Sequence, residues 1–175
     1  MLSERSSARS LSPSLAFALK FVLLFSLLLA AFEASRGSAI ERFLVEDCIL
    51  KPTMALIHVL APNEPIQLLG RTISSPTSHL RVTRGCEGVE ILLLLVAALA
   101  AFPASWKMRA RGFAIGCALS YLLSVSRLIA LHFTLRDWPS AWEALHGLIL
   151  PLGPIVIVTL YFLHWSATAR ASSAA

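Results

Sequence analysis

The sequence predicts an all-α integral membrane protein of about four transmembrane helices, with an extracytoplasmic interfacial helix and a small β-hairpin beside them. Three observations carry this. Of the 175 residues, 57% are hydrophobic and only 14% charged, with a mean hydropathy of +0.73, whereas a soluble domain carries roughly 25% charged residues. The apolar residues are gathered into blocks instead of recurring with the period of a half-buried helix or strand. The basic residues, which leave a net charge of +5, sit mostly in short segments beside those blocks. That is a topology pattern, and no basic patch interleaved with exposed aromatics suggests nucleic acid as a partner.

Taken in order, residues 1–13 (with Arg5 and Arg9) predict a cytoplasmic tail, 14–165 a single membrane-embedded domain, and 166–175 a second cytoplasmic tail. The run from Leu15 to Phe32 is apolar apart from Lys20 and long enough to span. A basic start and the small residues Ala30, Ala31, Ala34 and Ser35 also fit a cleaved signal peptide, but the apolar stretch exceeds a signal core and favours a retained span. Ile40 to Leu60 is interrupted by Glu41, Arg42, Glu46, Asp47 and Lys51, too often to cross a membrane. It predicts an interfacial helix broken near Pro52. Ile66–Ile73 and His79–Arg84, around the turn-forming Ser74–Ser78, predict two short strands.

The second span is expected from about Gly88 to Phe102, ended by Pro103. A basic loop, Ser105 to Arg111, then leads into a third span, Gly112 to Phe133. A polar connection, Thr134 to Leu145, carries Trp138 and Trp142 as interface anchors. The fourth span, His146 to Trp165, is interrupted by Pro151, Gly153 and Pro154. The positive-inside rule puts both tails and the Lys107/Arg109/Arg111 loop in the cytoplasm. Residues 33–85 and 134–145 then lie outside a bacterial cytoplasmic membrane.

Within this frame Arg84-Gly85-Cys86-Glu87-Gly88-Val89-Glu90 stands out as a polar cluster at the start of an apolar helix. A thiol at a helix N-terminus feels the positive end of the macrodipole, which favours thiolate. Cys86 is therefore a candidate nucleophile; the competing reading is a small apolar residue packed between helices. The three cysteines, Cys48, Cys86 and Cys117, lack metal-type spacing, and an odd number leaves at least one free thiol. Cys48 and Cys86 can pair if both face an oxidising compartment. Arg127 falls within the third span, where an arginine costs roughly 2.5–3.5 kcal/mol at the bilayer centre. It reads as an oxyanion or carboxylate binder, as a structural ion-pair partner of Glu90 or Glu87, or as a side chain that simply snorkels to the nearby surface. His146 reads as a general base toward Cys86 or as an interfacial helix-start residue, with His132 a weaker candidate. The topology brings Cys86, Arg127 and His146, from three spans, to one side of the membrane.

This arrangement resembles the exosortase/archaeosortase family of membrane cysteine transpeptidases, most closely the short H-type exosortases. Cys86-Glu87-Gly88-Val89-Glu90 is similar to the family's Cys-x-Gly motif, Leu123-Ser124-Val125-Ser126-Arg127-Leu128-Ile129 to its arginine motif and Leu145-His146 to its histidine motif. Phe102-Pro103-Ala104-Ser105-Trp106-Lys107 resembles the connection after the cysteine span. Ser124 departs from the family's usual Asn, and Glu87 stands where Asn or Ser is frequent. The resemblance implies a hydrolase-type cysteine protease or transpeptidase that cleaves C-terminal sorting signals of exported proteins at the outer membrane face. Its substrates would carry a Pro-containing motif, a hydrophobic helix and a basic tail. Cys86 would be the nucleophile, Arg127 the oxyanion stabiliser and His146 the general base and acid. Gly88, Glu90 and Ser124 would support them, and no cofactor or metal is implied. The rival expectation is a non-catalytic accessory or assembly protein with a structural Cys86 and an Arg127–Glu90 ion pair.

Overall fold

The first apolar block folds as α1, Pro13–Ala34, in a computed structural model that describes residues 12–174. The expected tail before it, with Arg5 and Arg9, lies outside the described residues apart from its last two positions. Ser12 caps α1 by accepting the Leu15 N–H, and Pro13 takes the first turn, where no backbone donor is needed. Leu19, Val22, Leu23 and Leu27 are more than half exposed, as expected of a helix that meets lipid instead of a protein core.

A continuous helical segment follows: α2, Ala39–Arg42, a π-helical stretch, Phe43–Leu50, and α3, Lys51–Leu60. The expected break near Pro52 does not occur. The wider π turns lie immediately before the proline and accommodate a ring that would clash with the preceding turn of an α-helix. Val45, Ile49, Leu50 and Ile57 face inward, while Ile40, Phe43, Val59 and Leu60 remain exposed.

The expected hairpin is a three-stranded antiparallel sheet: β1 Gln67–Leu69, β2 Thr72–Ser74 and β3 His79–Arg81, in that order. The first predicted strand is divided by a turn at Gly70 and Arg71, which pairs its halves with Leu68 opposite Ile73. Ile73 in turn faces Leu80, so the alternate residues Leu68, Ile73 and Leu80 turn one face to the core.

Three helical segments are long and apolar enough to cross a membrane: Pro13–Ala34, Trp106–Asp137 and Pro139–Ser172. The expected second span is the shorter α4, Val89–Ala101, of 13 residues, about 20 Å at 1.5 Å per residue. It packs among the long helices. The expected basic loop is absent, because α5 runs unbroken from Trp106 to Asp137 and takes Lys107, Arg109 and Arg111 into its first turns. Pro103 alone breaks the chain there, and lysine and arginine are good helix formers. The expected polar connection before span four is also mostly helical: a 3₁₀ turn at Pro139–Ala141, α6, Trp142–Ala144, and a π-helical stretch, Leu145–Ile149, lead into α7, Leu150–Ala174. His146 therefore lies inside a helical segment and does not open one, and Pro154 is contained within α7. Helix continues to Ala174 in the segment expected as the C-terminal tail.

Two cores hold these elements. One lies under the sheet, where Leu50, Ile57, Ile73, Leu80, Leu128 and Leu131 meet. The other joins α4, α5 and α7 through Leu95, Leu99, Val158 and Trp165. There α5 approaches α7 at Gly112 and α4 at Gly116, because neither glycine carries a side chain: a Cβ on them would fall 2.5 Å from Trp165 Nε1 of α7 and 2.7 Å from Leu95 Cδ2 of α4. Tyr161 Oη and Trp165 Nε1 then reach the Gly112 and Met108 carbonyls at 2.8 and 3.2 Å. This small-xxx-small spacing is the pattern that lets helices associate in lipid.

Candidate active site

From β3 the chain turns through Val82–Glu87 into α4, and this turn carries the thiol. The Cys86 N–H donates to the Thr83 carbonyl at 3.0 Å, and Cys86 Sγ lies 3.5 Å from Thr83 Oγ1. The turn ends at Gly88, whose φ of +78° lies in the left-handed region that favours glycine. Cys86 thus precedes the N-cap by two residues, in a buried loop at the start of the helix.

Against it sits the imidazole from the opposite end of the sequence. Cys86 Sγ and His146 Nε2 are 3.6 Å apart, within reach of a sulfur hydrogen bond. His146 is aimed by its position in the Leu145–Ile149 π-helical stretch, a feature that often marks functional sites. The Trp142 ring stacks on it, with centroids 4.8 Å apart and planes at 10°. The thiol and the imidazole line a cleft of about 280 Å³, with residues 79–83 and Trp142 also in its lining.

Arg127 is buried but does not line that cleft. Its Nη1 donates to the Gly85 carbonyl at 3.0 Å, while the Gly85 N–H donates to Glu90 Oε1 at 3.1 Å. The peptide units flanking Gly85, immediately before the cysteine, are thus held from two sides. The expected Arg127–Glu90 ion pair is not formed; both side chains are used on Gly85 backbone instead. Arg127 Nε and Glu90 Oε2 are buried without a protein partner.

Ser124 and Gly88 meet directly. A Cβ at Gly88 would fall 2.3 Å from Ser124 Oγ, and that hydroxyl donates to the Ser120 carbonyl at 2.9 Å. Ser124 is thus a small surface on which the cysteine loop seats, with its one donor spent within α5.

Sequence reasoning missed the ion-pair network around this loop. Arg84 bonds Glu33 and Glu41, each at 2.6 Å, and Arg71 bonds Glu41 at 3.3 Å and Glu87 at 2.9 Å. It ties the end of α1, α2 and the β1–β2 turn to the residues flanking Cys86. Burial pushes the Glu87 carboxyl above its ordinary value, against the pull of Arg71, so its charge opposes a neighbouring thiolate less than an exposed carboxylate would. The Gly37 N–H and Arg84 hold Glu41 below the ordinary carboxylate value.

His132 is fully buried elsewhere, its Nδ1 3.4 Å from Ser78 Oγ and its Nε2 3.6 Å from Glu64 Oε1. It is not part of the Cys86 cleft. All three cysteines are free, so the Cys48–Cys86 pairing is not made. Among the described residues no group of three or more His, Cys, Asp or Glu side chains is arranged to hold a metal ion. Comparison with known protein families, curated proteins and solved structures finds no match to the chain.

Proposed function

We propose that the protein is an exosortase-like membrane cysteine peptidase or transpeptidase that cleaves C-terminal sorting signals of exported proteins. The observation that carries the reading is the contact between Cys86 Sγ and His146 Nε2 at 3.6 Å. It joins two residues 60 positions apart in a cleft large enough for a peptide segment. The motif order that resembles exosortases adds to it. The topology that accompanies the reading is four crossings, with α4 as the short one, both termini cytoplasmic and the cleft on the outer face of the cytoplasmic membrane.

In this mechanism His146 Nε2 takes the thiol proton as Cys86 Sγ attacks the scissile carbonyl carbon, forming an S–C bond and an oxyanion. Collapse of that intermediate breaks the C–N bond, and His146 returns the proton to the leaving amine. The released tail carries the hydrophobic helix and basic end. The acyl group remains on Cys86 as a thioester until water or an acceptor amine attacks it and regenerates the thiol. Arg127 supplies positive charge beside the Gly85–Cys86 backbone, where it fixes the loop and favours negative charge developing at the reacting centre. Glu90, Gly88 and Ser124 hold the same loop in place. The Arg127–Glu90 ion pair of the accessory-protein alternative is not made, since Arg127 donates to the Gly85 carbonyl.

The experiment is co-expression with an exported protein bearing a Pro-containing motif, a hydrophobic helix and a basic tail. Tail removal by the wild type, its loss in Cys86→Ala and a thioester adduct on Cys86 by mass spectrometry are expected. Equal tail removal by Cys86→Ala rejects the proposal.

A further inference from the structure

The cleft beside Cys86 has a sheet edge for one wall. Strand β3 is the last strand of the sheet and, among the described residues, pairs only with β2. In an antiparallel ladder, directly opposed residues alternate between pairs that exchange backbone hydrogen bonds and pairs that do not. Here Ser75 N–H donates to the Ser78 carbonyl and Val82 N–H to the Arg71 carbonyl, at 2.8 and 2.9 Å. With Ile73 opposite Leu80, the bonded positions on this side are 78, 80 and 82. The backbone groups of His79, Arg81 and Thr83 therefore point away from β2. The Thr83 carbonyl is taken by the Cys86 N–H. The N–H and C=O of His79 and Arg81 have no hydrogen-bond partner among the described residues, and both residues line the cleft with Cys86 and His146.

We infer that this free edge of β3 is a docking strand for an extended peptide, which adds to the sheet as a fourth strand and so brings one of its carbonyls to Cys86. The inference rests on the peptidase reading above and says how that site holds its substrate. Unpaired edge groups are a ready template for strand addition, in which main-chain bonds supply affinity. The pattern on β3 offers one donor and one acceptor at every second residue, the repeat an extended peptide presents in return. The strand leads directly into the turn that ends at the nucleophile, so a peptide aligned on residues 79–81 is aligned on Cys86 as well. A cleft of about 280 Å³ fits two or three residues of such a segment. A helical substrate segment does not match this array, because its backbone groups are already paired internally.

The probe is N-acetyl-tetra-alanine chloromethyl ketone, which presents backbone with almost no side chain and alkylates a thiol with loss of chloride. It is applied to the full chain in detergent alongside iodoacetamide, and labelling of Cys86 is read by mass spectrometry. N-methylation of alternate amides is expected to slow labelling about tenfold, the loss of roughly one hydrogen bond, while methylation of the intervening amides leaves it within about twofold. Arg81→Pro, which deletes a free-edge N–H without touching the β2 ladder, is expected to lower the rate of the peptide reagent relative to that of iodoacetamide about tenfold. Arg81→Ala, which removes the same side chain but keeps the backbone donor, should be slowed much less than Arg81→Pro, and equal slowing in the two would overturn the strand-addition mode. Failure of the peptide reagent to label, or equal rates across the N-methyl series, overturns the strand-addition mode. If Arg81→Pro unfolds the sheet, the N-methyl series on the wild type still decides. Equal iodoacetamide reactivity of Cys86 and Cys48 would instead count against the activated nucleophile, and the alternation along the peptide would still report docking.

Discussion

Gly88 and Ser124 touch so closely that the seat of the cysteine loop has no room for a methyl group: a Cβ on the glycine would lie 2.3 Å from the serine hydroxyl. Two costs therefore meet in Gly88→Ala. The left-handed backbone costs an L-residue roughly 1–2 kcal/mol, and overpacking adds about 1–3 kcal/mol. Thermal unfolding in detergent should show the sum. Ser124→Gly in the same chain should recover the second part and not the first. An alanine variant as stable as the wild type would mean that the loop sits elsewhere.

His146 is predicted to govern the reactivity of Cys86. Its removal in His146→Ala should slow both tail cleavage and Cys86 alkylation at neutral pH, by about 10²-fold or more for cleavage, the scale of a lost general base. Trp142→Ala removes the stacked ring but leaves the imidazole, so a loss of only a few-fold is expected. Comparable losses in the two variants would point to a packing role for the histidine.

Arg127 is predicted to matter for stability as well as chemistry, because its bond to the Gly85 carbonyl is buried. Arg127→Ala leaves that carbonyl unpaired, at a cost of about 1–3 kcal/mol. Arg127→Lys keeps the charge but lacks the planar fork that reaches a fixed acceptor. It should regain some activity and less of the stability. Denaturant titration and tail cleavage measured on the same preparations separate the two effects.

Acid should loosen the segment that carries the sheet. Glu41 is held below its ordinary 4.5 by the Gly37 N–H and Arg84. Burial pushes Glu64 up, but hydrogen bonds from Ser75 and Arg136 outweigh it and leave it low. A carboxylate with a depressed folded pKa stabilises above its unfolded value, and that stabilisation is lost as pH falls through the folded one. The unfolding temperature should therefore drop as pH falls below the ordinary carboxylate range, less steeply in Glu41→Gln. Glu87 acts in the opposite sense, since burial raises its pKa and protonation relieves it. Glu87→Gln should make the acid loss steeper.

What the sequence revealed of this molecule follows from how local each signal is. Hydropathy is a property of consecutive residues, so the apolar blocks were legible, and Pro103 marked a true break. The extent of α5 was not, because Lys107, Arg109 and Arg111 signal a membrane boundary without interrupting a helix. Pro52 misled for the reverse reason: a π-helical stretch absorbed it. The approach of Cys86 to His146 could be anticipated, since the expected alternation of spans puts both on one side. The partner of Arg127 could not, because a backbone carbonyl leaves no trace in residue identity. Nor could the pairing of Arg71 and Arg84 with Glu33, Glu41 and Glu87, which are brought together from four separate segments. Gly112 and Gly116 carried a readable small-xxx-small spacing that the span assignment passed over.

Those glycines allow stability to be separated from chemistry. In Gly112→Ala the helix gains intrinsic propensity, roughly 1 kcal/mol. Against it, the new methyl would fall 2.5 Å from Trp165 Nε1, and moving the indole breaks its 3.2 Å bond to the Met108 carbonyl. Overpacking of about 1–3 kcal/mol together with a lost hydrogen bond of about 1 kcal/mol outweighs the propensity gain, so a net destabilisation of about 1–3 kcal/mol is expected. Met108, Gly112 and Trp165 contribute nothing to the lining of the Cys86 cleft. The variant should therefore unfold at lower temperature while the folded fraction alkylates at Cys86 at the wild-type rate. A change in that rate would show that the α5–α7 contact positions His146, in the π-helical stretch that leads into α7, and that the helix packing and the thiol–imidazole contact form one unit.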